Sequence, residues 1–117
     1  MKLFISQAMH GRTLEKIKKE REEYVEAFKD KLPYKDGDTE LEVINNLQED
    51  YDPGECNNPR LAYLGNSINA MKDADYVMFV ADCIATSNGC KVEFEICKLY
   101  NIPYSVYNIR IDRDRIF

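Results

Sequence analysis

The stretch that decides the fold is residues 75–81, DYVMFVA, which are nearly all apolar. A run of this kind is typical of a strand that is covered on both faces, as the strands of parallel sheets are. Three further segments have the pattern of strands, namely KLFIS at 2–6, LEVINNL at 41–47 and YSVYNI at 104–109. The sequence therefore predicts about four short strands.

The segments between these strands have the apolar spacing of amphipathic helices. Such a pattern covers residues 13–28, 60–71 and 89–100. Thr13 is a plausible N-cap for the first helix, and Gly89 opens the third. Strands and helices thus alternate along the chain.

Alternating strands and helices predict an α/β fold, in which a parallel sheet has helices on both faces. We expect a three-layer, flavodoxin-like (Rossmann-like) sheet with strand order 2-1-3-4. Ligands of such sheets bind beyond the carboxyl ends of the strands where the order reverses. Here that crevice lies between the loops after strands 1 and 3, which are QAMHGR at 7–12 and DCIATSN at 82–88.

Length and charge limit the class of protein. The chain has 117 residues, with 16 basic and 21 acidic side chains, for a net charge of −5. That length predicts a single domain, 1–117. The acidic balance argues against duplex nucleic acid as a partner. No apolar run approaches a membrane span, and no secretory signal is apparent, so we expect a cytoplasmic protein.

The cysteines and histidine exclude several kinds of site. No two cysteines have C-x-x-C spacing, so neither a zinc knuckle nor a thioredoxin-type site is indicated. We expect all four to be reduced, small buried residues: Cys56, Cys83, Cys90 and Cys97. His10 is the sole histidine, which rules out a two-histidine metal site. We predict no metal and no cofactor.

The start of the third predicted helix is a candidate anion site. Ser87, Asn88 and Gly89 lie there, where free backbone N–H groups and the helix dipole favour negative charge. Glycine would let a ligand approach the backbone closely. The alternative is that Ser87 or Asn88 simply caps the helix.

Two glutamates lie further along this helix, Glu93 and Glu95. A buried face defined by Val92, Ile96, Leu99 and Tyr100 would place Glu93 roughly 65° and Glu95 roughly 95° from its centre, on opposite sides. Glu93 is therefore the better candidate for a carboxylate at the rim of the crevice. The helix dipole would keep it ionised and available as a nucleophile. The alternative is that both are solvated surface charges.

The first loop and the end of strand 3 supply the other candidates. Side chains or backbone of the first loop are expected to bind sugar hydroxyls or phosphate: Ser6, Gln7, His10, Gly11 and Arg12. Arg12 is either an anion ligand or a surface charge beside the helix. Asp82 ends strand 3 on the crevice side, so it is a candidate general acid or ribose ligand. Asp75 lies at the opposite end of that strand, where a structural role is expected.

Two segments, KLFISQAMHGRT and ADYVMFVADCIATSNGCKVEFEICKLYNIPY, resemble the nucleoside 2-deoxyribosyltransferase-like superfamily, and in particular a small bacterial and phage branch of it. The shared pattern is a first loop S-x-x-M-x-G, then an A-D-apolar strand, a glycine, and a glutamate four residues later. Gly89 and Glu93 have that spacing. The resemblance covers most of the chain outside residues 31–59.

The resemblance implies cleavage of an N-glycosidic bond by a retaining double displacement, with Glu93 as the nucleophile. Ser87 is similar to a phosphate-holding serine in the branch that hydrolyses deoxynucleoside 5′-monophosphates. It also implies a homodimer or higher oligomer. Ser67 stands near the place where the family has an aspartate, so the leaving base would need another acid, such as Asp82.

That departure leaves two alternatives open. In one, the crevice binds a nucleotide or an ADP-ribose-like signal without turning it over. In the other, the chain is an oligomeric structural protein with a vestigial site.

Overall fold

The computed structural model describes residues 1–9, 11–31, 41–80 and 82–107. These ranges form, in chain order, β1 (Lys2–Ser6), α1 (Leu14–Lys31), β2 (Glu42–Val43), α2 (Pro59–Met71), β3 (Tyr76–Val80), α3 (Cys83–Thr86), α4 (Asn88–Leu99) and β4 (Tyr104–Tyr107).

The four described strands form one sheet in the order β2-β1-β3-β4, and every neighbouring pair is parallel. The registers bring Leu3 opposite both Val43 and Tyr76, and Met78 opposite Ser105. The predicted α/β, flavodoxin-like fold and its strand order are confirmed. The order reverses between β1 and β3, so the carboxyl ends of these two strands flank the expected crevice.

Two apolar clusters cover the two faces of the sheet, because successive side chains of a strand point to opposite faces. Leu3 and Ile5 of β1 pack with Tyr24 and Phe28 of α1 on one face. Phe4 of β1 packs on the other face with residues of α2 and α4, among them Met71, Cys90 and Cys97. The same alternation orients the carboxyl end of β1, where Ser6 faces the α2–α4 side and the next residue, Gln7, faces the α1 side.

Several element boundaries differ from the predictions. The strand expected at 41–47 is confined to Glu42–Val43. The backbone N–H of Ile44 still donates to the carbonyl of Leu3 at 2.8 Å, but further along a side chain, that of Asn46, bonds to β1 instead of the backbone. Asn46 Nδ2 donates to the carbonyl of Ile5 at 2.9 Å, and the backbone N–H of Leu47 donates to Asn45 Oδ1 at 3.2 Å. The loop expected at 82–88 contains the short helix α3. Residues 108 and 109 of the fourth predicted strand lie outside the described residues.

Other sequence predictions concern individual side chains. Asp75 has the structural role expected of it, since its Oδ2 accepts from the backbone N–H of Lys2 at 2.7 Å. The cysteines are free thiols, and three of them are buried, but Cys56 is exposed, so its predicted burial is wrong. Cys56 is exposed because it lies in a run of polar residues at the surface. In the described ranges, no helix combines the length and the apolar character that a membrane crossing requires.

Candidate active site

Glu93 lies on the buried face of α4, not at its rim. Its side chain is 5% exposed, and Cys90 and Cys97 lie on the same face. The predicted buried face is wrong: Leu99 and Tyr100 are 74% and 75% exposed. Glu93 is tolerated between these two buried thiols because it has hydrogen-bond partners there.

Two serine hydroxyls hold the Glu93 carboxyl group. Ser6 Oγ donates to Glu93 Oε1 at 2.7 Å, and Ser67 Oγ donates to Oε2 at 2.7 Å. Ser6 is the last residue of β1 and points to the α4 side of the sheet, and Ser67 is a buried residue of α2. The carboxyl group is therefore fixed by both of its oxygens, at the carboxyl end of the central strand.

The electrostatic environment of Glu93 differs from the expectation. Burial raises the pKa of the carboxyl group, and the hydrogen bonds from Ser6 and Ser67 and the charge of Arg21 offset only part of that effect. Loss of water thus outweighs the favourable charges and hydrogen bonds around the group, an effect that the expectation from the helix dipole alone does not include. A carboxylate with a raised pKa is more basic, and hence a better nucleophile, than an ordinary surface glutamate.

Gln7 belongs to a polar network on the α1 side of β1. Its Oε1 accepts from Arg21 Nε at 2.7 Å, and its Nε2 donates to Glu20 Oε1 at 3.1 Å and to the carbonyl of Ile17 at 3.3 Å. Both ends of this side chain are therefore engaged inside the protein. Gln7, predicted as a substrate ligand, instead links β1 to α1.

Arg12 is also engaged internally. Its Nη1 and Nη2 donate to the two carboxylate oxygens of Glu20, each at 3.0 Å, and Nη1 also donates to the carbonyl of Ala8 at 2.8 Å. This bidentate pair ties the first loop to α1. Gly11 has a φ of +76° with open space where a Cβ would lie, so it is the pivot of that loop. His10 lies outside the described residues.

The start of α4 confirms the capping interpretation of Ser87. Ser87 Oγ accepts from the backbone N–H of Cys90 at 3.3 Å, and Asn88 is the first residue of the helix. A Cβ at Gly89 would meet Leu64 Cδ1 at 3.7 Å, an ordinary contact, so the backbone does not require glycine here. No acidic residue occupies the first turn of α4, which leaves its dipole available to an anion.

Asp82 lies just beyond β3 and is exposed. It has a φ of +70° and precedes α3 without capping it through its side chain. A left-handed conformation in a residue other than glycine is a strained feature that occurs often at functional sites. Its assignment as the general acid stays a prediction.

Buried thiols complete the wall around Glu93. Cys83 Sγ donates to the carbonyl of Ser6 at 3.4 Å. A hydrogen bond with Cys90 and burial both raise the pKa of Cys83, and burial together with the Glu93 charge raises the pKa of Cys97 to about 11. Cys83 and Cys97 are therefore neutral at physiological pH and line the site as apolar groups.

The structure shows two residues that act on Glu93 and that the sequence does not predict in that role, Arg21 and Ser67. Arg21 is one of many charges in the sequence of α1, yet its spacing from Ile17, Tyr24 and Phe28 places it within the apolar stripe. Ser67 stands out in the sequence only as a departure from a family pattern, although it lies on the same stripe of α2 as Met71. A polar residue inside an apolar stripe is the signal in both cases.

Four of the candidate residues fall into two groups of contacts. Ser6 and Glu93 are in direct contact, with Ser67 added by the structure, whereas Gln7 and Arg12 are used in an internal network behind β1. Within the described part of the chain, no three histidine, cysteine, aspartate or glutamate side chains are grouped so as to hold a metal ion.

Comparisons with known proteins add no relative. No family model matches the sequence, no curated protein is significantly similar to it, and no solved structure matches the chain. The contacts around Glu93, together with the family resemblance of its two segments, are therefore the basis for assigning a function.

Proposed function

We propose that this protein cleaves or transfers the N-glycosidic bond of a nucleoside or nucleoside 5′-monophosphate, with Glu93 as the nucleophile. One observation carries the proposal: a buried carboxyl group is fixed by two hydroxyls, from Ser6 and Ser67, at the carboxyl end of β1. This is the edge at which α/β sheets bind ligands. The resemblance to nucleoside 2-deoxyribosyltransferases supports the same residue.

The reaction would proceed in two displacements. An oxygen of Glu93 attacks the anomeric carbon C1′ and forms an ester bond, while the electron pair of the C1′–N bond leaves with the base, which takes up a proton. Water or a second base then attacks C1′ and gives up a proton to the group that protonated the leaving base, while the electron pair of the ester C–O bond returns to Glu93. The sugar thus retains its anomeric configuration.

The two serines suit both steps. A carboxylate oxygen has two lone-pair directions, so each oxygen of Glu93 can accept from a serine and still present a second lone pair to C1′. Burial makes the carboxylate more basic for the attack, and the hydroxyls stabilise the negative charge when it leaves in the second displacement.

The other roles are assigned by position. Asp82, exposed at the end of β3, is the candidate acid that protonates the leaving base. Ser67 does not fill that role, because its hydroxyl donates to Glu93. The first turn of α4, with Asn88 and Gly89, is the proposed site for a 5′-phosphate.

The test is a panel of nucleosides and their 5′-monophosphates, in ribose and deoxyribose forms, analysed for free or exchanged base by chromatography. Glu95→Gln is the matched control, because Glu95 lies two residues further along α4, is exposed, and pairs with Lys98 on the surface. We expect base release by the wild type and by Glu95→Gln, and none by Glu93→Gln. Equal release by Glu93→Gln, or no release from any member, would contradict the proposal.

A second candidate function is binding without turnover. The observation in its favour is that both Glu93 oxygens already accept hydrogen bonds, and that serine stands at 67 where the resembling family has an acid. A nucleotide or an ADP-ribose-like signal would then be held in the same crevice. Thermal stabilisation by a ligand that is recovered chemically unchanged would select this function over the enzymatic one.

We further propose a homodimer or larger homo-oligomer in the cytoplasm. The exposed apolar side chains at the end of α4, including Leu99 and Tyr100, support an assembly, because they have no apolar cover within the described part of one chain. The free cysteines are consistent with a reducing compartment. Light scattering after size-exclusion chromatography measures the subunit number.

A further inference from the structure

Buried charges lie on both sides of the end of β1. Glu93 of α4 is buried on one side, and Arg21 of α1, which is 7% exposed, is buried on the other. Successive side chains at the end of β1 point to opposite faces of the sheet, so Ser6 contacts Glu93 on one face and Gln7 contacts Arg21 on the other. Two adjacent residues at the end of one strand thus join the two charged groups.

Arg21 is held in a defined orientation by this strand. Its Nε donates to Gln7 Oε1 at 2.7 Å, and its Nη2 donates to the carbonyl of Ile5 at 3.4 Å. The side chain therefore holds both residues that flank Ser6. Asn46 Nδ2 also donates to the carbonyl of Ile5, at 2.9 Å, so the shorter contact of Arg21, the one with Gln7, is its main link to the strand end.

The two buried carboxyl groups of this region have different surroundings. Glu20 has the bidentate guanidinium of Arg12 as a partner. Burial raises the pKa of Glu93, and the hydrogen bonds from Ser6 and Ser67 and, less strongly, the charge of Arg21 oppose that rise. Burial lowers the pKa of Arg21 itself to about 10, with the charge of Glu93 opposing the shift, so the guanidinium stays protonated at neutral pH.

We propose that Arg21 is a positioning residue for Glu93: its contacts with Gln7 and Ile5 fix the strand end from which Ser6 donates a hydrogen bond to the buried carboxyl group. The consequence for catalysis rests on the proposed function. Displacement of Ser6 would remove the hydrogen bond to Glu93 Oε1 and favour the protonated carboxyl group, which cannot attack C1′.

The other groups facing Glu93 do not substitute for the charge of Arg21. Ser6 of β1 and Ser67 of α2 are neutral donors. The thiols of Cys83, Cys90 and Cys97, from α3 and α4, interact with the Glu93 charge but supply no positive charge. Removal of Arg21 would therefore leave the burial of Glu93 opposed by hydrogen bonds alone.

The direct test is a carboxyl 13C NMR titration of Glu93 in the full chain, with the resonance assigned by its loss in Glu93→Gln. Arg21→Met removes the charge, Arg21→Lys keeps it but loses the planar fork, and Lys19→Met removes an exposed charge from the same helix. We expect Arg21→Met to raise the pKa of Glu93 by at least about 1, Arg21→Lys by less, and Lys19→Met by nothing measurable. An unchanged pKa in Arg21→Met would overturn the proposal.

A second measurement covers the case in which Arg21→Met alone does not fold. The double variant Arg21→Met, Glu93→Gln has no buried carboxylate at position 93, so it should fold. The loss of melting temperature that Arg21→Met causes should be smaller in the Glu93→Gln background than in the wild type. If Arg21→Met prevents folding in both backgrounds, the role of Arg21 is a general structural one and the proposal is wrong.

Neither measurement needs a substrate, so failure of this inference is distinct from failure of the proposed function. Where base release is detected, a further readout applies. The acidic limb of the rate–pH profile should move to higher pH in Arg21→Met and be partly restored in Arg21→Lys, whereas loss of folded protein would lower the rate at every pH.

Discussion

Replacement of Ser67 by alanine tests the hydrogen bonding of Glu93 most quantitatively. The Ser67 hydroxyl donates to Glu93 Oε2 at 2.7 Å, and both side chains are buried. A hydrogen bond to a charged group contributes about 1.5–3 kcal/mol to stability, against about 0.5–1.5 kcal/mol for a bond between neutral groups. Alanine also gains about 0.5 kcal/mol in helix propensity over serine.

These terms give a net cost of about 1–2.5 kcal/mol for Ser67→Ala in the wild type, where the acceptor is a carboxylate. In the Glu93→Gln background the acceptor is neutral, and the same change should cost about 0–1 kcal/mol. The helix term cancels in the double-mutant cycle, so a coupling of about 1 kcal/mol or more remains.

The assay is urea denaturation at about pH 8, where Glu93 is most fully ionised, repeated toward about pH 5. Asn69→Ala is the matched control, because Asn69 is exposed on the same helix and reports the propensity gain alone. The coupling should shrink as Glu93 takes up its proton. Equal costs for Ser67→Ala in both backgrounds at the higher pH would refute the description of Glu93 as a buried carboxylate held by hydroxyls.

Three further predictions concern stability and are measured by denaturation. Because burial raises the pKa of Glu93 above its unfolded value of about 4.3, its contribution to stability is fully present below that value and is lost as the pH rises through the folded pKa. Glu93→Gln should therefore gain stability relative to the wild type as the pH rises from about 4; a constant difference would contradict this. Gly11→Ala should cost about 1 kcal/mol of stability, because Gly11 has a positive φ. Gly65→Ala should instead stabilise the protein by about 0.5–1 kcal/mol, because Gly65 lies in helical backbone with open space around it. The same sign for both changes would contradict the backbone argument. Asn58→Ala should cost about 1 kcal/mol, since Asn58 Oδ1 caps α2 by accepting from the backbone N–H of Leu61 at 3.0 Å, and an unchanged midpoint would show that the cap contributes nothing.

The sheet could be predicted from the sequence because its strands are short apolar runs separated by helical patterns. DYVMFVA predicts a strand buried on both faces, and the alternation with helices predicts the parallel order 2-1-3-4. β2 could not be delimited, because the apolar pattern of residues 41–47 does not show that Asn46 replaces ladder pairing by a side-chain bond to Ile5. Local sequence patterns predict that a strand is present. They do not show where a side-chain hydrogen bond replaces the backbone pairing and so ends the strand.

For the candidate site, the sequence selects Glu93 and Ser6, which the structure brings into contact, but it does not predict how they are arranged. Hydrophobicity favours a buried face of α4 made of Val92, Ile96, Leu99 and Tyr100. Of these, only Ile96 is partly buried against the core, and the structure buries the face with the smaller thiols and Glu93. That choice depends on Ser6 and Ser67, which are distant in sequence and provide the partners that make a buried carboxyl group tolerable. A pattern within one helix contains no information about partners on other elements.

Mass spectrometry of the protein after incubation with a 2′-fluorinated nucleoside analogue tests the role of Glu93 most directly. Fluorine at C2′ slows both displacements, because both pass through an oxocarbenium-like transition state. A good leaving base keeps the first displacement faster than the second, so the glycosyl-enzyme should accumulate. We predict a mass increase equal to the fluorinated sugar, located on the peptide that contains Glu93, in the wild type and Glu95→Gln but not in Glu93→Gln. A sugar adduct on another residue, or base release by a protein that lacks the Glu93 carboxylate, would contradict the assignment of Glu93 as the nucleophile.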